Sequence, residues 1–453
     1  MNDKRKKSKG MLFGLLVLVV VVPVVGLLVI RMEGQPPTMK LDLAKSALGT
    51  SQTVTLEAAD AKSGLQHVWM AIFKDGKESV ILNKDFPSGG LLSGPKVRSR
   101  SLEVLVEPKE LGIKDGKAML RMVVRDHSWR KWGAGNQIYI EQEVVIDTKP
   151  PAIDVVSRPL NLNQGGAGLV IYRLSEDCPT SGVRVGESFY PGMAGPFEDS
   201  TLRMAFIALS HKQGAATKLS ISANDYAGNE GIAGLQRHIN ARRFKKDRIN
   251  ISDQFLSWKM PEFRDQVPAA GPGVDTFLKV NRDLRVQNYE IIKQVTARSD
   301  AKLHWQGGFK RLPGAANRAG YADYREYIYN KKIIDRQTHM GIDLASNERA
   351  PIPAANTGRV AFTDTLGIYG RTVIIDHGFG LFSLYAHLSH IDVTVDDMVT
   401  KGQIIGKTGS SGMAGGDHLH FSMLVYHTFV NPIEWWDRQW IQNNIQSKID
   451  SVQ

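Results

Sequence analysis

Residues 339–346 read HMGIDLAS, residues 385–391 read YAHLSHI and residues 418–425 read HLHFSMLV. With RTVIIDHG at 371–378, these runs are rich in aliphatic, aromatic and β-branched residues and are broken by short polar turns. They predict the strands of an antiparallel β domain. In a strand, residues two apart share a face. His418 and His420 therefore point together, and so do His339 and Asp343 if that segment is extended. Of the twelve histidines, seven fall between 339 and 427: His339, His377, His387, His390, His418, His420 and His427. Three nitrogen or oxygen ligands with a fourth position left to water make a catalytic zinc site. Zinc so held polarises a carbonyl and acidifies water, which suits amide hydrolysis. No His-Glu dipeptide occurs in the chain, so the helical H-E-x-x-H arrangement is excluded.

Outside these runs the composition is that of an ordinary globular protein. The chain has 453 residues, 42% of them hydrophobic and 23% charged, which argues against a wholly disordered or multi-span membrane protein. The length suggests about two to four domains. A single cysteine, Cys178, excludes a disulfide framework and cysteine-rich zinc fingers. The formal net charge is +11, of which Lys4, Arg5, Lys6, Lys7 and Lys9 against Asp3 place +4 in residues 1–10. The remaining excess reads as a solvated surface, so no nucleic-acid partner is expected.

Residues 11–30 read MLFGLLVLVVVVPVVGLLVI, without a charge. Twenty helical residues span about 30 Å, the thickness of a bilayer core. The basic tail at 1–10 should stay in the cytoplasm, which places the chain beyond Arg31 on the far side of a single-pass inner-membrane anchor. A cleaved signal peptide is the competing reading. Its apolar core would be roughly 7–15 residues, followed by an A-x-A-like site, and the flank VIRMEGQPP offers none.

After a polar tether, residues 46–150 carry six short β-rich runs: TVTLEA, HVWMAIF, SVILN, SLEVLV, AMLRMVV and IYIEQEVVI. Turn residues separate them, and DTKPP at 147–151 closes the unit. A weak repeat follows. Asp60, Ser63 and Gly64 are echoed by Asp177, Ser181 and Gly182, and Asp126 with Gly135-Asn136 is echoed by Asp225 with Gly228-Asn229. Two β-sandwich modules, 46–150 and 151–240, account for this, and both resemble bacterial immunoglobulin-like modules. Residues 241–302 read as a helical linker. The charged run at 241–248 would be a solvated boundary. Phe277, Leu278, Leu284, Ile291, Ile292 and Val295 would form one face of an amphipathic helix, with Asp275 as its cap.

The wider pattern around the histidines is more specific than any one motif. THMGIDLAS, PIPAANTGRVAF, YGRTVIIDHGFGLFSLYAHLSHI, VTVDDMVTKGQIIGKTGSSGMAGGDHLHFSMLV and VNPIEWW follow one another between about 303 and 437. This segment, about 30% of the chain, closely resembles the LytM/lysostaphin-type zinc endopeptidases of peptidoglycan. The resemblance implies a compact antiparallel β domain with the site in a groove. It also implies that His339, Asp343 and His420 ligate zinc, and that His418 and His387 are the catalytic histidines beside the metal. His377, in the hairpin turn Asp376-His377-Gly378, reads as structural, and His390 and His427 match no family site residue. Gly406, Gly409, Gly412, Gly415 and Gly416 read as tight turns near the groove, since no G-x-x-x-x-G-K-[ST] phosphate loop occurs. The family's aromatic-Gly-x-Arg stretch upstream of the first ligand is replaced by Tyr321-Ala-Asp-Tyr324-Arg325-Glu-Tyr327.

The expected protein is mainly β: a tail at 1–10, an anchor at 11–30, two modules, a linker, a zinc endopeptidase domain at 303–437 and a tail at 438–453. Its substrate would be the peptide bonds of peptidoglycan stems or cross-bridges. The alternatives are a scaffold that activates another wall hydrolase, or an exported protease acting on proteins. The β modules would be a spacer or would restrain the groove, and a protein regulator fits either role.

Overall fold

The computed structural model describes residues 2–43, 46–90, 95–157, 159–268, 271 and 273–452, with side chains from residue 14 onward. The basic side chains of the N-terminal tail thus lie outside the described ones. With 42% of residues in strands and 18% in helices, the protein is mainly β. It divides into two compact units, residues 1–150 with 224–230, and residues 151–223 with 231–453.

The first unit begins with one helix, Asn2–Arg31, through which Pro23 passes. From Gly14 to Arg31 it is long and apolar enough to cross a membrane. All six predicted runs are strands. Gln52–Ala59 lies between Thr38–Asp42 and Ser99–Val106. Leu65–Lys74, Lys77–Asp85, Gly116–Asp126 and Gln137–Ile146 form a second sheet with Ala47–Leu48 on its edge. Alternation buries one face of each sheet. Val54, Leu56 and Val104 from the first meet Val68, Met70, Leu120, Met122 and Val124 from the second in one hydrophobic cluster. The repeated Asp…Asn pair is a loop clamp. Asp126 Oδ1 accepts from the amides of Ser128 at 2.9 Å and Asn136 at 2.7 Å. Asp225 holds Asn229 in the same way, with its Oδ1 accepting from the Asn229 amide at 2.9 Å.

The second unit is built on an antiparallel sheet ordered Ala316–Ala319, Ile342–Ala345, Leu419–Val425, Leu381–Leu388, Arg371–Asp376, Gly358–Thr365 and Met398–Val399. Its central strands are buried on both faces, including every residue of Leu381–Leu388 and of Leu419–Val425. That explains their near-continuous apolar sequence. The hydrophobic cluster continues from this sheet into residues 160–209, where Phe206 packs its ring 6.1 Å from that of Trp435. The C-terminal turns at 438–450 bury Ile441, Ile445 and Ile449, spaced four apart, against the same cluster.

Residues 241–302 differ from a simple helical linker. Lys246–Asn250 is a strand, parallel to Tyr324–Tyr329. Its charged sequence carries no apolar alternation; besides the backbone pairing, Arg248 Nε donates to Glu326 Oε2 on the partner strand at 3.4 Å. The predicted helix is interrupted by a π turn at Val280–Leu284, which inserts a residue and shifts the apolar phase. Phe277, Leu284 and Ile292 are buried as expected, while Ile291 faces solvent. Asp275 lies in the first turn of Val274–Lys279 and does not cap it; Gly273 holds that position.

Candidate active site

Strand register brings the motif residues together. Asp343 stands opposite His420, and His420 stands opposite Ala386 on the next strand. Directly opposed residues share a face, so Asp343 and His420 project to the same side. His339 arrives differently. It follows the strand Lys332–Thr338 and precedes Ile342–Ala345. A turn, not an extended segment, therefore swings it toward Asp343. Within that turn a Cβ on Gly341 would sit 2.6 Å from both His420 Nε2 and Ser422 Oγ. Only glycine fits there.

His339 Nε2, Asp343 Oδ1 and His420 Nδ1 lie 2.9 Å from one another. The outer nitrogens decide what these atoms are. His339 Nδ1 donates to the Gly320 carbonyl at 2.8 Å. Ser422 Oγ donates to the Met340 carbonyl at 2.8 Å and so accepts from His420 Nε2 at 3.0 Å. When neutral, both imidazoles therefore turn a lone pair inward, toward a carboxylate oxygen. Three electron-pair donors facing one another in a buried site repel unless a cation joins them. Their spacing is near the roughly 3.3 Å edge of a tetrahedron with zinc-ligand bonds. Among the described residues the two other groupings of this kind contain no histidine. The donor set thus fits zinc, and the hydrogen bonds to Gly320 and Ser422 fix the tautomers such a site needs.

His387 and His418 flank this triad. Their rings lie 4.8 Å apart, and His387 lies 5.8 Å from His420. His387 sits at a bulge where pairing with Arg371–Asp376 shifts register, with φ of +65°. Bulges and such backbone outliers re-aim side chains at functional sites. Its Nδ1 donates to the Ser411 carbonyl at 2.8 Å, and His418 Nδ1 donates to the Gly416 carbonyl at 2.8 Å. Each ring keeps Nε2 for chemistry. Without a bound cation, burial and then the neighbouring His418 and His420 hold His387 well below the usual imidazole range. Burial, followed by His339, lowers His420 to about 4. Burial also opposes charge on Asp343 and His418, yet the neighbouring histidines, His339 foremost, hold the Asp343 carboxyl low, and Asp343 raises His418.

All five residues line a cavity of about 460 Å³. Asp247, Phe255, Phe277 and Arg285, from the segment read as a linker, line it too. Arg325, from the stretch that departs from the family pattern, also lines it and donates from Nη2 to Asp343 Oδ2 at 3.1 Å. Sequence reasoning missed Arg325, Ser422 and the Gly320 carbonyl. Ser422 was accessible to the two-residue strand period from His420; nothing in the sequence marked the others. His377 is buried elsewhere, between the Thr357 carbonyl and Ser383 Oγ. His390 is exposed beside Asp392, and His427 is half-buried. Gly412, at φ +70°, turns the chain where a Cβ would meet the Gly370 amide at 2.3 Å.

Residues 337–432, which hold all five site residues, match the profile of Peptidase family M23. That segment is an M23 domain. The M23 match extends to curated proteins. Over 95 residues it is 38% identical to the DD-carboxypeptidase/endopeptidase Mpg of Neisseria meningitidis, covering 21% of this chain and 22% of that protein. Over 110 residues it is 33% identical to the murein hydrolase activator EnvC of Escherichia coli, covering 24% of this chain and 26% of that one. The chain thus spans about a quarter or less of these relatives. Among solved structures, the catalytic domain of lysostaphin from Staphylococcus simulans matches with 28% identity and a TM-score of 0.25, covering 29% of this chain and 98% of that domain.

Proposed function

We propose that the protein is a membrane-anchored zinc endopeptidase that hydrolyses peptide bonds in peptidoglycan stems or cross-bridges. The carrying observation is the inward lone pairs of His339 and His420 around Asp343 Oδ1, each 2.9 Å apart, within the M23 domain. Zinc held there would supply Lewis acidity, polarising the scissile carbonyl and acidifying a water. His387 and His418 present Nε2 to the cavity. One accepts the proton released as water attacks and returns it to the leaving amine; the other steadies the oxyanion. The cavity wall formed by Phe277, Tyr327, Tyr369 and Met413 gives a peptide an apolar bed. The relative Mpg, with carboxypeptidase and endopeptidase in its name, supports this substrate class. The helix through Gly14–Arg31 supports an inner-membrane anchor with the catalytic domain outside.

Full-length protein in detergent, loaded with zinc and incubated with purified sacculi, tests the reading by mass spectrometry of released fragments. New amine and carboxyl ends, absent with chelator and with His418→Ala, are expected. The EnvC match favours one alternative, an activator of another hydrolase. Stoichiometric zinc without any cleavage of sacculi would move the assignment there, and cleavage of protein substrates alone would make the protein an exported protease.

A further inference from the structure

The loop at 127–136 in the first unit carries an unusual combination. Lys131 and Trp132 are consecutive non-glycine residues in the left-handed region, at φ 51° and 59°. Side chains rarely adopt that conformation, and it persists where the surroundings demand it. Yet Trp132, the largest kind of side chain, is 105% exposed and gains nothing from the fold. Trp129 is 36% exposed beside it, and Arg130 and Lys131 are exposed between them.

The loop is tied to the exit of the N-terminal helix. The Trp129 amide donates to the Arg31 carbonyl at 2.8 Å, Arg130 Nε to the Met32 carbonyl at 3.2 Å, and Ser128 Oγ and Asn136 Nδ2 to the Glu33 carbonyl at 3.0 and 3.1 Å. The last apolar residue of the helix, Ile30, is 71% exposed. Arg31 lies one residue, about 1.5 Å of rise, beyond it. The headgroup layer on each side of a bilayer core is about 5–8 Å thick. If the helix spans a membrane, a loop bonded to residues 31–33 is at headgroup depth.

We infer that this loop is a lipid-binding surface, with Trp129 and Trp132 inserted at the headgroup–acyl boundary and Arg130 and Lys131 against anionic headgroups. Tryptophan suits that boundary because its ring is apolar and its N–H polar. Basic side chains there are attracted to anionic lipid. The strained turn then has a purpose, since it aims Trp132 away from the unit and into the layer that the helix crosses. The loop would seat the first unit on the membrane rather than leave it hanging from a tether. The inference rests on the anchor reading proposed above.

The test uses the full chain reconstituted in vesicles of phosphatidylcholine and phosphatidylglycerol in equal parts, with bromine on the acyl chains near the headgroup. Flotation and resistance to carbonate extraction report the anchor. Bromine quenching of tryptophan emission reports the loop. Trp132→Phe should lose roughly half of the quenched amplitude, and Trp129→Phe with Trp132→Phe nearly all of it, because these are the loop's two tryptophans. Unfolding midpoints should not move for Trp132→Phe, since its ring is fully exposed. Quenching unchanged by Trp132→Phe, in protein that floats and resists carbonate, would overturn the inference and leave the anchor standing. Protein released by carbonate would overturn the anchor, and the inference with it.

Discussion

Arg325 Nη2 donates to Asp343 Oδ2 at 3.1 Å, on the side of the carboxylate away from His339 and His420. The guanidinium therefore orients the carboxylate so that Oδ1 faces the two histidines, and it would be a positioning residue for the proposed zinc. Arg325→Ala should weaken zinc binding about 10- to 100-fold, the usual effect of removing a partner behind a metal ligand. Arg325→Lys should recover part of that loss, because charge remains but the planar fork does not. Competition against a chromogenic chelator measures both without reference to activity.

Gly341 tests the turn that brings His339 to the site. An alanine Cβ would stand 2.6 Å from His420 Nε2 and from Ser422 Oγ, so one must move and their hydrogen bond is lost. Gly341→Ala should lower zinc affinity at least about tenfold. In chelator it should lower stability by about 1–3 kcal/mol through overpacking. Zinc titration and urea unfolding separate the two effects. Unaltered zinc affinity would show that the turn does not set the site.

Metal binding and catalysis should separate by residue. His387 and His418 donate Nδ1 to backbone carbonyls and are not part of the triad. His387→Ala and His418→Ala should keep stoichiometric zinc yet lose about 100- to 10,000-fold in kcat, the range for removing a general acid or base. His420→Ala should lose zinc and activity together. Metal analysis beside turnover on sacculi reads both quantities.

His377 predicts a pH dependence of stability. It is fully buried, and burial lowers its pKa to about 4. An unfolded histidine titrates near 6.5. Between those values the unfolded chain binds the extra proton, so stability rises with pH. The contribution is complete above about pH 6.5 and is lost as pH falls toward about 4; it amounts to about 3 kcal/mol. Urea unfolding in chelator should show an acid slope in this window that is shallower in His377→Gln by that amount. Equal slopes would reject the assignment.

The site's chemistry was legible in local pattern, and its supports were not. His418 and His420 on one strand face follow from a two-residue period that holds wherever a strand is extended. The convergence of His339 with Asp343 does not, because it comes from a turn around Gly341. The place of His387 comes from a bulge that alternation cannot foresee. In the segment 241–302, apolar spacing correctly marked a helical face at Phe277, Leu284 and Ile292. It missed the π turn that exposes Ile291, and it missed the strand Lys246–Asn250, whose charged sequence has no apolar alternation.

By itself, then, the sequence determined the mainly β character, the long apolar N-terminal helix, the candidate histidines and aspartate that the fold gathers in one cavity, and the strand runs of the first unit. Each depends on residue type and short-range spacing, which the local chain already contains. The tertiary structure decided that Arg325 stands behind Asp343, that Ser422 and the Gly320 carbonyl set the histidine tautomers, and that residues 247–285 wall the cavity. It also decided that Trp132 emerges at the helix exit. Those relationships join residues far apart in the chain through strand register, bulges and buried hydrogen bonds. Only packing selects among the many pairings that the same local pattern would allow.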